Sequence, residues 1–121
     1  MKLTNANKLL LIIGLSVLAG CRHVSEREMV SGRWEYVSVT KNDSAVFTVA
    51  ETDFIALNND SSFSYEIESV NKNMQGRWSY ADHRLALHYD QPDTTRYFDV
   101  ELVSKRDMIF TENGITFKFK R

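Results

Sequence analysis

The stretch from Gly32 to Arg121 predicts an all-β domain, an antiparallel up-and-down meander of eight or nine short strands closing into a small barrel. Three observations carry this. Apolar residues recur at every second position in run after run, the period of half-buried strands. The gaps between runs are short and polar, whereas parallel strands need crossovers of about a dozen residues or more. An open sheet of that many strands leaves two exposed edges, which closure into a barrel removes. A two-sheet sandwich is the alternative, but hairpins between nearest neighbours favour the barrel.

The elements follow in chain order. Trp34, Tyr36 and Ser38 alternate with Glu35, Val37 and Val39, so parity places Val37 and Val39 on the outer face. Phe47 and Val49 mark a second run, and Ile55 and Leu57 a third that ends at the turn cluster Asn58-Asn59-Asp60-Ser61. Phe63, Tyr65 and Ile67 alternate with Ser64, Glu66 and Glu68 in the most regular strand. A turn at Asn71-Lys72-Asn73 leads to Trp78 and Tyr80, then to Leu85, Leu87 and Tyr89, stopped by Gln91-Pro92-Asp93. Phe98, Val100 and Leu102 precede Met108 and Phe110. Asn113-Gly114 is a strong hairpin signal, because both residues tolerate the positive φ of a type I′ turn. The last strand sets Ile115, Phe117 and Phe119 against Thr116, Lys118 and Lys120. One motif recurs: Gly32-Arg33-Trp34-Glu35-Tyr36 returns as Gly76-Arg77-Trp78-Ser79-Tyr80. Without matching flanks, it reads as one local solution used twice, with Gly opening a strand and Trp turned inward.

Composition narrows the function. In 121 residues, 43% are hydrophobic, 12% aromatic and 26% charged, an ordinary globular balance. A formal charge of −1 gives no basic footprint for a nucleic acid, so none is expected as a partner. A single cysteine, Cys21, excludes an internal disulfide framework.

The N-terminus reads as an address. Lys2 and Lys8 precede an apolar run from Leu9 to Ala19, too short for a membrane span of about 20 residues, and small residues follow it. This is the pattern of a secretory signal over residues 1–20. Leu18-Ala19-Gly20-Cys21 resembles the lipobox of bacterial lipoproteins. That resemblance implies a diacylglycerol thioether on the Cys21 sulfur, cleavage before Cys21, and acylation of the new amine. Several acyl chains, at about 0.8 kcal/mol per buried methylene, anchor a protein in effect permanently. The mature chain then carries 13 basic and 16 acidic side chains, so the lipid rather than the domain surface is expected to hold the membrane. Where lipoproteins are sorted by the residue after the cysteine, Asp retains them at the inner membrane; Arg22 favours the outer one. Residues 21–31 read as lipid anchor and polar tether ending in a helical turn, and residues 32–121 as the barrel domain.

An early Gly32-x-Trp34 followed by a meander resembles the lipocalin superfamily, and more closely the short lipocalin-like lipoproteins of Bacteroidetes-type bacteria. Their pattern of G-x-W, a middle N-x-D-x-x-F turn, a second G-x-W and a final apolar hairpin is matched by Gly32/Trp34, Asn58 to Phe63, Gly76/Trp78 and Met108 to Phe119. The resemblance implies that Trp34 sits at the closed base of the barrel with an Arg across its ring. Arg121 shares the face of Ile115, Phe117 and Phe119 and is the candidate; a frayed, solvated Arg121 is the alternative. Full lipocalins are longer and end in a helix, so this interior could be filled by its own aromatic side chains.

Candidate chemistry is sparse. Tyr36, Tyr65, Tyr80 and Tyr89 fall on inward faces, where their hydroxyls could orient an amphipathic ligand or simply reach water at the mouth. His83 and His88 lie near Asp82 and Asp90, but turn and outward positions mark solvated surface rather than a metal site. No G-x-S-x-G, H-E-x-x-H or phosphate loop occurs, and Glu66 and Glu68 lie on an open convex face, so no enzyme and no cofactor are expected. Two functions remain. The first is a lipid-anchored binding module for a small apolar or amphipathic molecule. The second is an interaction lipoprotein with a solid barrel that docks another envelope protein through outward residues such as Val37, Val39, Tyr97 and Ile109.

Overall fold

The computed structural model describes residues 25–121; Cys21 and the signal segment lie outside the described residues. A short helix α1 (Glu26–Val30) leads into β1 (Gly32–Lys41), β2 (Ser44–Ala45), β3 (Phe54–Leu57) and β4 (Ser62–Ile67). β5 (Lys72–Ala81), β6 (Arg84–Tyr89), β7 (Thr94–Leu102), β8 (Asp107–Glu112) and β9 (Ile115–Lys120) complete the chain. β1 pairs with β3 through its first residues and with β9 through the rest, so the sheet closes on itself as an eight-stave antiparallel barrel. β2 is a tab hairpinned to the top of β1.

Two-residue turns set the hairpins. Asn42-Asp43, Asp82-His83 and Asn113-Gly114 all have positive φ at both positions, the type I′ geometry whose twist matches the flanking strands. β5 starts at Lys72, so the turn expected over Asn71-Lys72-Asn73 lies earlier: a 3-10 turn at Glu68–Val70 followed by Asn71 in the left-handed region at φ 50°.

Two departures from simple alternation shape the interior. In β1 the register against β9 slips between Tyr36, opposite Phe119, and Ser38, opposite Lys118. This bulge inserts one residue and reverses parity beyond it. Val37 stays outward at 49% exposure, but Val39, expected outside, is turned into the core at 1%. The second departure is the run at Phe47 and Val49, which forms no strand; both side chains instead pack, partly buried, against the core. That irregular segment is pinned by buried Asp53, whose carboxylate accepts from Ala50 N at 2.9 Å and Glu68 N at 3.0 Å.

The repeated glycine-tryptophan motif serves two packing tasks. Gly32, at φ +111°, opens β1 as expected. Gly76 lies inside β5 rather than at a strand start, and a Cβ there would sit 2.0 Å from the His88 carbonyl oxygen of β6. It is the place where two backbones approach too closely for any side chain.

The base of the barrel is solid. α1, capped by Ser25, drives Val30 into the opening, and the fully buried Trp34 indole donates to Val30 O at 2.8 Å. The residues read as the end of the tether are thus a plug. Arg121 clamps it, donating to Ser31 O at 2.7 Å, Met29 O at 2.9 Å and Lys105 O at 2.9 Å, with its guanidinium carbon 4.0 Å from the Trp34 ring centroid. On the other side Arg27 of α1 lies 4.3 Å over Trp78, whose indole donates to Asn58 O at 2.8 Å. Each copy of the repeated tryptophan therefore carries an arginine.

Candidate functional site

The upper half of the barrel is hollow. β1, β4, β7 and β9 line it with inward residues beneath a mouth framed by the segment after β2 and the turn after β4. There a cavity of about 280 Å³ opens between Tyr36, Ile55, Tyr65, Leu87, Phe110 and Phe117, with Val46, Phe47, Val70 and Ile115 around its rim. Val46 and Val70 are 47% and 41% exposed, so the rim offers apolar surface to whatever enters. The volume lies at the lower edge of the roughly 300–1,000 Å³ usual for small-molecule sites.

One polar system crosses this apolar wall. Arg96, on the inward parity of β7 two residues before Phe98, reaches the cavity and is half-buried. Its Nε donates to Glu112 Oε2 at 2.8 Å and its Nη2 to Glu112 Oε1, a bidentate pair with the adjacent strand. Its Nη1 donates to the Tyr89 hydroxyl at 3.1 Å, and the Tyr89 and Tyr65 hydroxyls lie 3.0 Å apart. The guanidinium also lies 4.9 Å from the Phe98 ring centroid. Charged hydrogen bonds to Glu112 hold Arg96 protonated, raising its affinity for the proton further. Burial, then the hydrogen bond its hydroxyl donates to Tyr65, pushes the Tyr89 phenol above its ordinary range, and burial does the same to Tyr36. All three groups keep fixed protonation states across physiological pH.

The four tyrosines read from parity are thus split by height along the barrel. Tyr36 and Tyr65 line the cavity, and Tyr89 stands behind Tyr65 as its hydrogen-bond partner. Tyr80 is at the base, away from the cavity, donating to Glu26 Oε2 of α1 at 3.1 Å. Gly32, Trp34, Trp78 and Arg121 pack with α1 at the opposite end, whereas Gly76, expected at the base, lies midway along β5 between Phe63 and Tyr89. Cys21 lies outside the described residues. The charged pair Arg96 and Glu112 went unread in the sequence, although each shares the inward parity of its strand's core residues, Phe98 and Phe110.

Elsewhere the surface is ordinary. His88 bonds Thr95 at 2.7 Å and Asp93 at 3.1 Å, and His83 bonds Glu26 at 3.1 Å, all in exposed positions. Among the described residues no cluster of three His, Cys, Asp or Glu has metal-binding geometry. No helix among them is long and apolar enough to cross a membrane. Of the outward apolar residues, Val37 and Tyr97 are exposed, Ile109 is half-buried and Val39 is in the core.

No protein-family model matches this sequence, and no curated protein does. Two solved structures share its fold. An uncharacterized protein from Bacteroides eggerthii DSM 20697 superposes with a TM-score of 0.61 at 13% identity, over 75% of this chain and 98% of that one. A lipocalin-like protein from Bacteroides uniformis ATCC 8492 superposes with a TM-score of 0.61 at 15% identity, over 77% and 98% respectively. At such identities the likeness concerns architecture, and it agrees with the closed eight-stave meander: the chain is folded as a lipocalin-like β-barrel.

Proposed function

We propose that the protein is a lipid-anchored binding module of the cell envelope, held at the outer membrane through Cys21, that houses a small apolar or amphipathic molecule in the upper half of its barrel. The observation that carries this reading is the cavity of about 280 Å³, apolar around most of its wall and crossed by a single polar system. A ligand of that size, or one end of a longer amphipath, would leave water for a dry aromatic wall, the usual source of affinity in such sites. The polar system would orient it. Binding without catalysis fits a wall whose titratable groups are locked in fixed protonation states.

The second reading, docking to an envelope protein through the outer face, loses Val39 from its apolar patch, because the bulge in β1 buries that side chain.

The test pairs chemistry at the anchor with mass at the cavity. In a bacterial host, the full chain is expected to partition with membranes and take up an alkyne-labelled palmitate, and Cys21→Ala to do neither. Native mass spectrometry of the membrane-extracted protein is expected to show an adduct that denaturation removes. A bare mass that persists after challenge with fatty acids, lipids and haem would refute the binding role.

A further inference from the structure

The hydrogen bonds behind the cavity wall have a direction. Arginine donates and never accepts, so the Tyr89 oxygen is the acceptor of the 3.1 Å contact with Arg96 Nη1. Tyr89 is 2% exposed, and Tyr65 is the only hydrogen-bond acceptor its hydroxyl reaches among the described residues. Were Tyr65 the donor instead, the Tyr89 proton would be buried without a partner, which native interiors avoid. The chain therefore runs from Arg96 to Tyr89 to Tyr65, each donor polarising the next. Tyr65, which lines the cavity, has its own proton left over to point into it. Tyr36 also lines the cavity, and among the described residues its hydroxyl makes no hydrogen bond. Two phenolic donors thus face one apolar space.

What they would receive is fixed by charge. Arg96 is already neutralised by the bidentate Glu112 pair, and the other cation near the cavity, Lys72, is exposed at the rim. A carboxylate buried at Tyr65 would have no free counter-charge and would lie near the Glu112 carboxylate, a costly arrangement in an apolar site. An uncharged oxygen acceptor meets neither penalty. Burial holds the Tyr36 phenol in its donor form well above the ordinary phenol range. The space itself is about twice the 150 Å³ cavity that accommodates benzene, or room for roughly a dozen heavy atoms.

We infer that the cavity is built for a medium-sized apolar molecule whose buried end is a neutral carbonyl-type acceptor, held by the Tyr65 and Tyr36 hydroxyls, with Tyr89 and Arg96 as positioning residues. This deepens the binding role proposed above and rests on it.

The experiment uses the full chain in detergent micelles, with protein-free micelles as the partition blank. The probes are 2-undecanone carrying carbon-13 at its carbonyl and decanoate of equal heavy-atom count, both at neutral pH. The ketone is expected to bind more tightly than decanoate, and its carbonyl resonance to move downfield as phenols donate to it. Tyr65→Phe and Tyr36→Phe, which keep the rings, are each expected to weaken the ketone about 5–10-fold, the loss of one hydrogen bond, and to shrink the carbonyl shift. Tyr89→Phe is expected to lessen the carbonyl shift with both cavity hydroxyls still present. Ketone binding unchanged in both phenylalanine variants would overturn the donor assignment while leaving an apolar cavity. Tighter binding of decanoate, lost in Lys72→Met, would overturn the neutral-acceptor class in favour of an acid held at the rim. Failure of both probes to bind the folded protein would overturn this inference together with the binding role beneath it.

Discussion

Replacing Arg121 by alanine tests the closure of the base. The side chain makes three hydrogen bonds from a charged donor, to Ser31 O, Met29 O and Lys105 O, at 2.7, 2.9 and 2.9 Å. Those sites are exposed, so water replaces part of each bond, and the low end of the range, about 0.5 kcal/mol apiece, applies. The stack on Trp34 at 4.0 Å adds about 1 kcal/mol, since the ring is fully buried on its other side. The expected loss is about 2.5 kcal/mol, which for a domain of this size lowers Tm by roughly 10–20 °C. Thermal melts by circular dichroism read it directly. Arg121→Lys should recover less than half, because an ammonium keeps the charge but cannot span three carbonyls and a ring at once. The carbonyls of Met29 on α1 and of Ser31 just after it make a further demand: amide exchange in residues 26–31 should accelerate more than in the barrel. A melt within about 0.5 kcal/mol of wild type, or additivity of Arg121→Ala with Trp34→Leu in a double-mutant cycle, would refute the clamp.

Two further outcomes follow from other features. Because the bulge turns Val39 inward and leaves Val37 outside, Val39→Asp should cost more than about 3 kcal/mol and Val37→Asp within about 0.5, measured by urea denaturation; equal effects would deny the bulge. Alkaline titration gives the other. Burial raises the Tyr36 and Tyr89 phenols, and burial with the Glu26 hydrogen bond raises Tyr80 to about 12, all from 10.0. A raised folded-state value means stability fully present below about pH 10 and lost as pH climbs beyond it. Denaturant midpoints should therefore hold up to about pH 10 and fall between about pH 10 and 12, less steeply in Tyr36→Phe, and a flat profile would contradict the burial.

Much of this fold could be read from alternation alone. Phe63, Tyr65 and Ile67 face inward as their period says, and Asn113-Gly114 forms the turn its dihedral preferences favour. Parity reports a face, however, and not a height. Tyr80 and Tyr36 share inward parity, yet one sits by the plug helix and the other at the cavity, a difference set by register between strands distant in sequence. The bulge was illegible for a related reason, since the valines at 37 and 39 suit either face until β9 fixes which residue is extra. Phe47 and Val49 mimic a strand because packing one side of a loop against a core also selects every second residue. Arg96 was within reach: a charge at the inward parity of a strand is a sign of a partnered site, and Glu112 supplies the matching sign two strand positions beyond Phe110. Asp53 was not, because its role is defined by backbone amides that only the folded loop brings together.

The plug helix would also decide which way a lipid-anchored molecule faces. The chain enters at the closed base, and Cys21 lies four residues before Ser25, a span of at most about 14 Å. If Cys21 carries acyl chains as proposed, the bilayer would lie beneath the plug, and the mouth would be lifted above it by the length of the staves, roughly 25 Å for the ten residues of a tilted β1. Were the protein anchored in this way, cargo would arrive from the aqueous side, or from a carrier within it, and not by sliding up from the bilayer.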